Sequence, residues 1–171
     1  IQYSTGVRIN KCGLADLEPE FDVIMLHHSF EHLPEPKAAL AQIRRLLSPD
    51  GTVLIRMPVV SEAWKTYGAD WVQLDPPRHL FLFTEKGFSD LAREKGFLVE
   101  RVIFDSTAMQ FWGSEQYKLD IPLNDPRSHD HSREGTVFED AQIDDWGRQA
   151  GQLNAQGEGD QACFYLRKAN T

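Results

Sequence analysis

Residues 21–58, "FDVIMLHHSFEHLPEPKAALAQIRRLLSPDGTVLIRMP", carry two hydrophobic rhythms on either side of a histidine-rich junction. Residues 21–26 form an almost unbroken apolar run rich in branched side chains, the pattern of a strand buried on both faces of a parallel sheet. From Pro36 onward Ala39, Leu40, Ile43, Leu46 and Leu47 recur at three- and four-residue spacing, while Lys37, Gln42, Arg44 and Arg45 take the other side. That spacing predicts a helix packed on a sheet. "SPDG" at 48–51 reads as a turn and 52–58 as the next strand, which completes a strand–helix–strand crossover.

Working outward, Thr84 caps a helix running to about Lys95, with Phe88, Leu91 and Ala92 as its buried stripe and Gly96 closing it. Residues 97–104 supply a strand. After an irregular stretch, a helix from Asp140 to about Asn154 is centred on Ile143, Trp146 and Leu153; "GEGD" turns the chain, and 161–168 form the last strand. Residues 122–138 are polar and without periodicity, a loop insert of a length common in lids and binding loops. The reading is one α/β domain over 1–171, doubly wound, with a mostly parallel sheet.

Composition narrows the function classes. Against 18 basic residues stand 26 acidic ones, a formal charge of -8, which argues against a nucleic-acid or anionic-membrane partner. Cys12 and Cys163 stand alone, with neither a disulfide framework nor a thiolate metal spacing, and a reducing cytoplasm fits them. No run of eighteen apolar residues and no signal-peptide layout occurs. The chain opens on Ile1 and enters strand-like sequence at once, as a piece of a longer protein does.

The junction spells H-x-x-E-H over His28, Glu31 and His32. On a sustained helix that spelling is a zinc-hydrolase pair. Here His28 follows directly from a strand, and Leu33 and Glu35 each precede a proline, so at most one helical turn fits and no downstream acid is singled out as a third ligand. No metal is expected. Histidines that merely satisfy hydrogen bonds at a strand end, and a non-metallic ligand site beyond the carboxyl end of the sheet, both remain open.

Residues 21–58 resemble the central segment of class I S-adenosylmethionine-dependent methyltransferases of the type 11/12 kind: a strand, a loop ending in E-H-L, a helix, an L-x-P-x-G turn and a strand. The resemblance extends through "DPPRHLFLFTEKGFSDLAREKGF" at 75–97 and "LNAQGEGDQACFYLRK" at 153–168. It implies an antiparallel last strand, S-adenosylmethionine as cofactor and a small-molecule methyl acceptor, with a hydroxyl the expected target. His32 is then the first candidate for the base and His79 the second, with Arg78 orienting the acceptor. The resemblance sets Asp16 at the adenine and Leu26, His27 and His28 at the amino-acid part of the cofactor; Trp71 belongs to an aromatic stretch suited to a substrate pocket, and Glu31 to holding the loop.

The sequence departs from that family in one respect. The glycine-rich turn after a first strand and the acid after a second are missing; by register residues 6–10 are the third strand, so the fold reads as incomplete and weak cofactor binding is expected. Two other classes stay open, a non-catalytic methyltransferase-like binding domain and the zinc hydrolase. Oligomeric state is not legible.

Overall fold

The computed structural model describes residues 9–131 and 136–169. The strand expected at 6–10 and the middle of the loop at 122–138 fall largely or partly outside them. In chain order the elements are β1 (Phe21–His27), α1 (Pro36–Leu46), β2 (Leu47–Pro58), α2 (Glu62–Tyr67), α3 (Glu85–Glu94), β3 (Phe97–Phe104), α4 (Met109–Lys118), α5 (Asp140–Gln156) and β4 (Gln161–Lys168). The strands lie in the order β1-β2-β4-β3. β1 runs parallel to β2, while β4 is antiparallel to both of its neighbours, so three strands share a direction and the last opposes them.

Local chemistry sets the boundaries. Pro36 opens α1, where its missing N–H costs nothing. The Thr84 side chain accepts from Gly87 N at 3.0 Å and caps α3. Beyond α3, Gly96 takes φ 78°, and Arg44 Nε donates to its carbonyl at 3.2 Å. A Cβ there would lie 2.7 Å from that nitrogen, which Arg44 can yield, so the backbone conformation is what demands glycine.

One face of the sheet is sealed. Leu40 and Ile43 of α1 and Phe88 and Ala92 of α3 pack on Val53, Ile55, Met57, Phe97, Phe164 and Leu166. Phe88 is the hub, its ring centroid 5.4 Å from Phe30 and 4.5 Å from Phe164. Burying each such aromatic contributes roughly 1.5–3 kcal/mol.

The other face differs from expectation. Ile24 and Leu26 enter the core, but Val23 and Met25 are 56% and 69% exposed, so β1 is not buried on both faces. The reason is positional: β1 is an edge strand, and among the described residues no strand pairs with its outer side.

Three further differences have local causes. "SPDG" counts as the start of β2, yet the register jumps from Phe21↔Leu47 to Val23↔Thr52, so the turn survives as a bulge. α2 has only six residues, too few for a period to show. α4 buries Gln110, Gly113, Ser114 and Gln116 beside Trp112, and such a polar face leaves no apolar stripe in the sequence. Part of the expected loop is packed as well: Ser128 is buried and accepts from Gln116 Nε2 at 3.1 Å.

Candidate functional site

The carboxyl end of β1 is where the chain turns polar. His28 takes φ 47°, a left-handed conformation uncommon outside glycine, and its N–H donates to Arg56 O at 2.8 Å on β2. The reversal throws the chain into a single 3-10 turn, Phe30–His32, after which Leu33 returns to extended backbone. The single turn read from the prolines is what forms, and no sustained helix lies beneath His28 and His32.

That turn buries Glu31 completely. Its carbonyl accepts from Leu80 N at 2.9 Å and Phe81 N at 3.3 Å, which holds the 78–81 segment against the loop. His28 Nδ1 stands 3.5 Å from Oε1 and His79 Nε2 3.9 Å away, and neither carboxylate oxygen has a hydrogen-bond partner. Burial pushes this carboxyl up, but the imidazoles of His28 and His32 outweigh it and hold the group below the ordinary glutamate value.

Two imidazoles converge on this carboxylate with matching tautomers. His32 Nδ1 lies 2.8 Å from Arg78 O and His79 Nδ1 lies 2.7 Å from Gln73 O. A carbonyl only accepts, so both Nδ1 atoms carry the proton and both Nε2 atoms keep a lone pair when the rings are neutral. The ring centroids are 5.0 Å apart. One donor atom from each of Glu31, His32 and His79 falls within 4.8 Å of the others. Asp75, at φ 41°, places Oδ2 3.7 Å from His79 Nε2 and 2.6 Å from Arg78 Nη2.

Arg56 ties this end of the sheet together. Its Nε donates to Asp105 Oδ2 at 2.7 Å, and its Nη1 donates to Nε2 of His28 at 2.6 Å and of His27 at 3.1 Å. Because guanidinium has no lone pair to offer, the imidazole nitrogen is the acceptor in both contacts. Behind them Asp160, almost fully buried, takes the Trp71 indole N–H at 2.9 Å; burial pushes its carboxyl up. A cleft of about 380 Å³ lies between α2, α4 and α5, walled by Tyr67, Phe111, Trp146 and Leu153.

The sequence candidates therefore separate. His32 and His79 meet, with Glu31 between them and His28 alongside. Leu26 and His27 end β1 beside them. Arg78 meets the site through its carbonyl, while its side chain is 70% exposed and paired with Asp75. Trp71 is wholly inside the protein, with its one polar atom bound to Asp160 and no surface left for a ligand. Asp16 is not brought to this end: it caps its own turn by accepting from Gly13 N, and that turn is bound by Arg45 in the last turn of α1. Sequence reasoning passed over Arg56, Asp105 and Asp160. An arginine inside the apolar run of β2 was the one visible signal.

A methyltransferase domain family matches residues 6–102, more than half of the chain. The chain belongs to that family. No curated protein matches it. Among solved structures, this methyltransferase domain is similar in fold to an S-adenosylmethionine-dependent methyltransferase of Thermotoga maritima, with 14% identity, TM-score 0.56, and coverage of 95% of this chain and 65% of that one. It is similar to the 1,6-didemethyltoxoflavin-N1-methyltransferase of Burkholderia thailandensis, solved with S-adenosylhomocysteine, at 17% identity and TM-score 0.50 over 98% of this chain and 53% of that one. The [4+2]-cyclase SpnF matches at 18% identity and TM-score 0.55, over 98% and 58%. At such identities the shared property is the fold, and a cyclase among the neighbours illustrates that the fold hosts more than one reaction. The methyltransferase domain spans roughly half to two thirds of the length of these structures. Among the described residues no helix is long and apolar enough to cross a membrane.

Proposed function

We propose that the chain forms the acceptor-side part of an S-adenosylmethionine-dependent methyltransferase that acts on a hydroxyl of a small molecule. The observation that carries this reading is the pair of imidazoles, His32 and His79, each with Nδ1 fixed by a backbone carbonyl and Nε2 left as a proton acceptor. They stand beyond the carboxyl end of the sheet, where ligands of open α/β folds bind. The cofactor, when bound, supplies a methyl group on a positively charged sulfur.

The residues at hand fit one side of that cofactor. Leu26 and His27 offer the end of β1, while Asp16 is not brought to them. His32 Nε2 takes the acceptor's hydroxyl proton, and His79, 7% exposed, keeps the acceptor side dry. Arg78 acts through its carbonyl, which sets the His32 tautomer. The net charge of -8 favours a small or cationic acceptor over a nucleic acid.

Cofactor turnover against small hydroxylated acceptors tests the reading. His32→Ala should lower turnover by about 10²–10⁴-fold with acceptor KM little changed. Unchanged turnover in a folded His32→Ala protein assigns the proton to another group. Turnover absent with every acceptor would overturn the reading.

A further inference from the structure

The geometry points to a divalent transition-metal site formed by Glu31, His32 and His79, with zinc as the ion that its donors suit best. It stands on the arrangement of these side chains and not on methyl transfer. Three independent features converge.

The first is Glu31. A carboxylate with no exposed surface and no hydrogen bond to either oxygen is a costly thing to keep in a folded protein, and a cation between it and its neighbours removes the cost. The surrounding imidazoles hold this carboxyl low, but neither oxygen has a hydrogen-bond partner among them. The nearest ring nitrogens lie at 3.5 and 3.9 Å, beyond good hydrogen bonds.

The second is the pair of tautomers. Metal-bound histidines typically donate the other ring N–H to a carbonyl or carboxylate, which orients the ring and leaves the coordinating lone pair inward. His32 does this with Arg78 O and His79 with Gln73 O, which leaves both Nε2 atoms free to coordinate, and that of His79 faces Glu31.

The third is spacing. Zinc ligands at about 2.0–2.1 Å stand roughly 3.3 Å apart in a tetrahedron. Glu31 Oε1 and His79 Nε2 are 3.9 Å apart and all three donors fall within 4.8 Å, a gap that side-chain rotation closes. Two imidazoles and one carboxylate are a set that zinc and ferrous iron favour over magnesium or calcium. Three protein ligands leave a coordination position open, as in catalytic sites, and Asp75 Oδ2, 3.7 Å from His79 Nε2, borders it.

This ligand set differs from the His28–His32 pair that the sequence spelling suggests and argues against. The third donor comes from the distant segment after Pro77, which the Glu31 carbonyl holds in place. Where the ion binds, His32 Nε2 is a ligand, and the role of base described above belongs to the ion-free protein. An oxygen donor in the open position would then lose its proton near neutral pH through the ion itself.

Titration of the metal-free chain with zinc chloride, followed by calorimetry and elemental analysis, tests the inference without cofactor or acceptor. One equivalent is expected, also in a Cys12→Ser, Cys163→Ser protein, and cobalt substitution should give the visible absorption of a four- or five-coordinate site. His32→Ala and His79→Gln should each weaken binding at least about tenfold, while His131→Ala should not. His32 is partly exposed and its replacement is expected to leave the fold intact, so the test stands even where Glu31→Gln fails to fold. No equivalent bound, an equivalent that survives both histidine replacements, or one lost with the cysteines overturns the site. A chain that binds zinc but transfers no methyl group refutes only the function proposed above; one that transfers methyl groups and binds no zinc refutes only this inference.

Discussion

The two faces of the sheet are built from the same strands and do opposite things. On one, Val53, Ile55 and Met57 of β2 meet α1 and α3 and vanish from solvent. On the other, alternate residues of the same strands, Val23 and Met25 on β1, Leu54 and Arg56 on β2 and Tyr165 on β4, stay wholly or partly exposed. Packing energy is therefore concentrated in one layer. The open layer carries the polar chemistry: Arg56, the residue that gathers His27, His28 and Asp105, rises from it.

The comparison is most easily broken at Phe88. Phe88→Ala should cost about 3–5 kcal/mol in urea unfolding, because its ring leaves a hole against Phe30 and Phe164 that the helices cannot fill. A cost near zero would mean that the sealed face does not hold the domain together.

The buried pair behind the site comes next. Trp71→Phe strips Asp160 of the indole donor and leaves part of a buried volume empty, and should cost about 1–3 kcal/mol. Stability should also depend on pH through Asp160, whose carboxyl burial raises above the unfolded value. The folded state then keeps its proton to higher pH. Stability is greatest below the ordinary carboxylate range and falls as pH rises from that range through the raised folded value. Asp160→Asn should remove this fall, read as urea midpoints between acidic and neutral pH; a fall that persists traces to other carboxylates.

The open face should be the least sensitive. Met25→Lys is expected to change stability by no more than about 0.5 kcal/mol while lowering self-association in sedimentation, since it places a charge on an unpaired edge strand. A loss comparable to that of Phe88→Ala would show that something covers this face in solution.

What the sequence disclosed follows the same division. Ala39, Leu40 and Ile43, and Phe88 and Ala92, announced their helices because they line a single apolar face. Thr84 and Gly96 announced their ends because capping and positive φ demand particular residues. α4 stayed hidden because its buried side is Gln110, Ser114 and Gln116, satisfied by hydrogen bonds that no periodicity reveals. At the site, the crowding of histidines at 27–32 was plain, and so was His79. Their meeting was not, because it depends on a carbonyl of Glu31 and carbonyls of Gln73 and Arg78, and backbone acceptors leave no mark in a sequence. Trp71 misled for the converse reason, since an aromatic in irregular sequence reads the same in a pocket wall and in a core.

The strand order has a consequence for how the protein comes into being. β4 is made last, yet it lies between β2 and β3 and supplies every hydrogen bond that joins them. On the ribosome β1, α1 and β2 can assemble early, but β3 emerges with no strand to join and must wait, its apolar side chains covered only by α3, until residues 161–168 clear the exit tunnel. Pairings so distant in sequence are slow to close. A nascent chain stalled before residue 161 therefore has β3 unjoined to β1 and β2 in the sheet and is a natural client for a chaperone, whereas release of a few residues more links these four strands in one step.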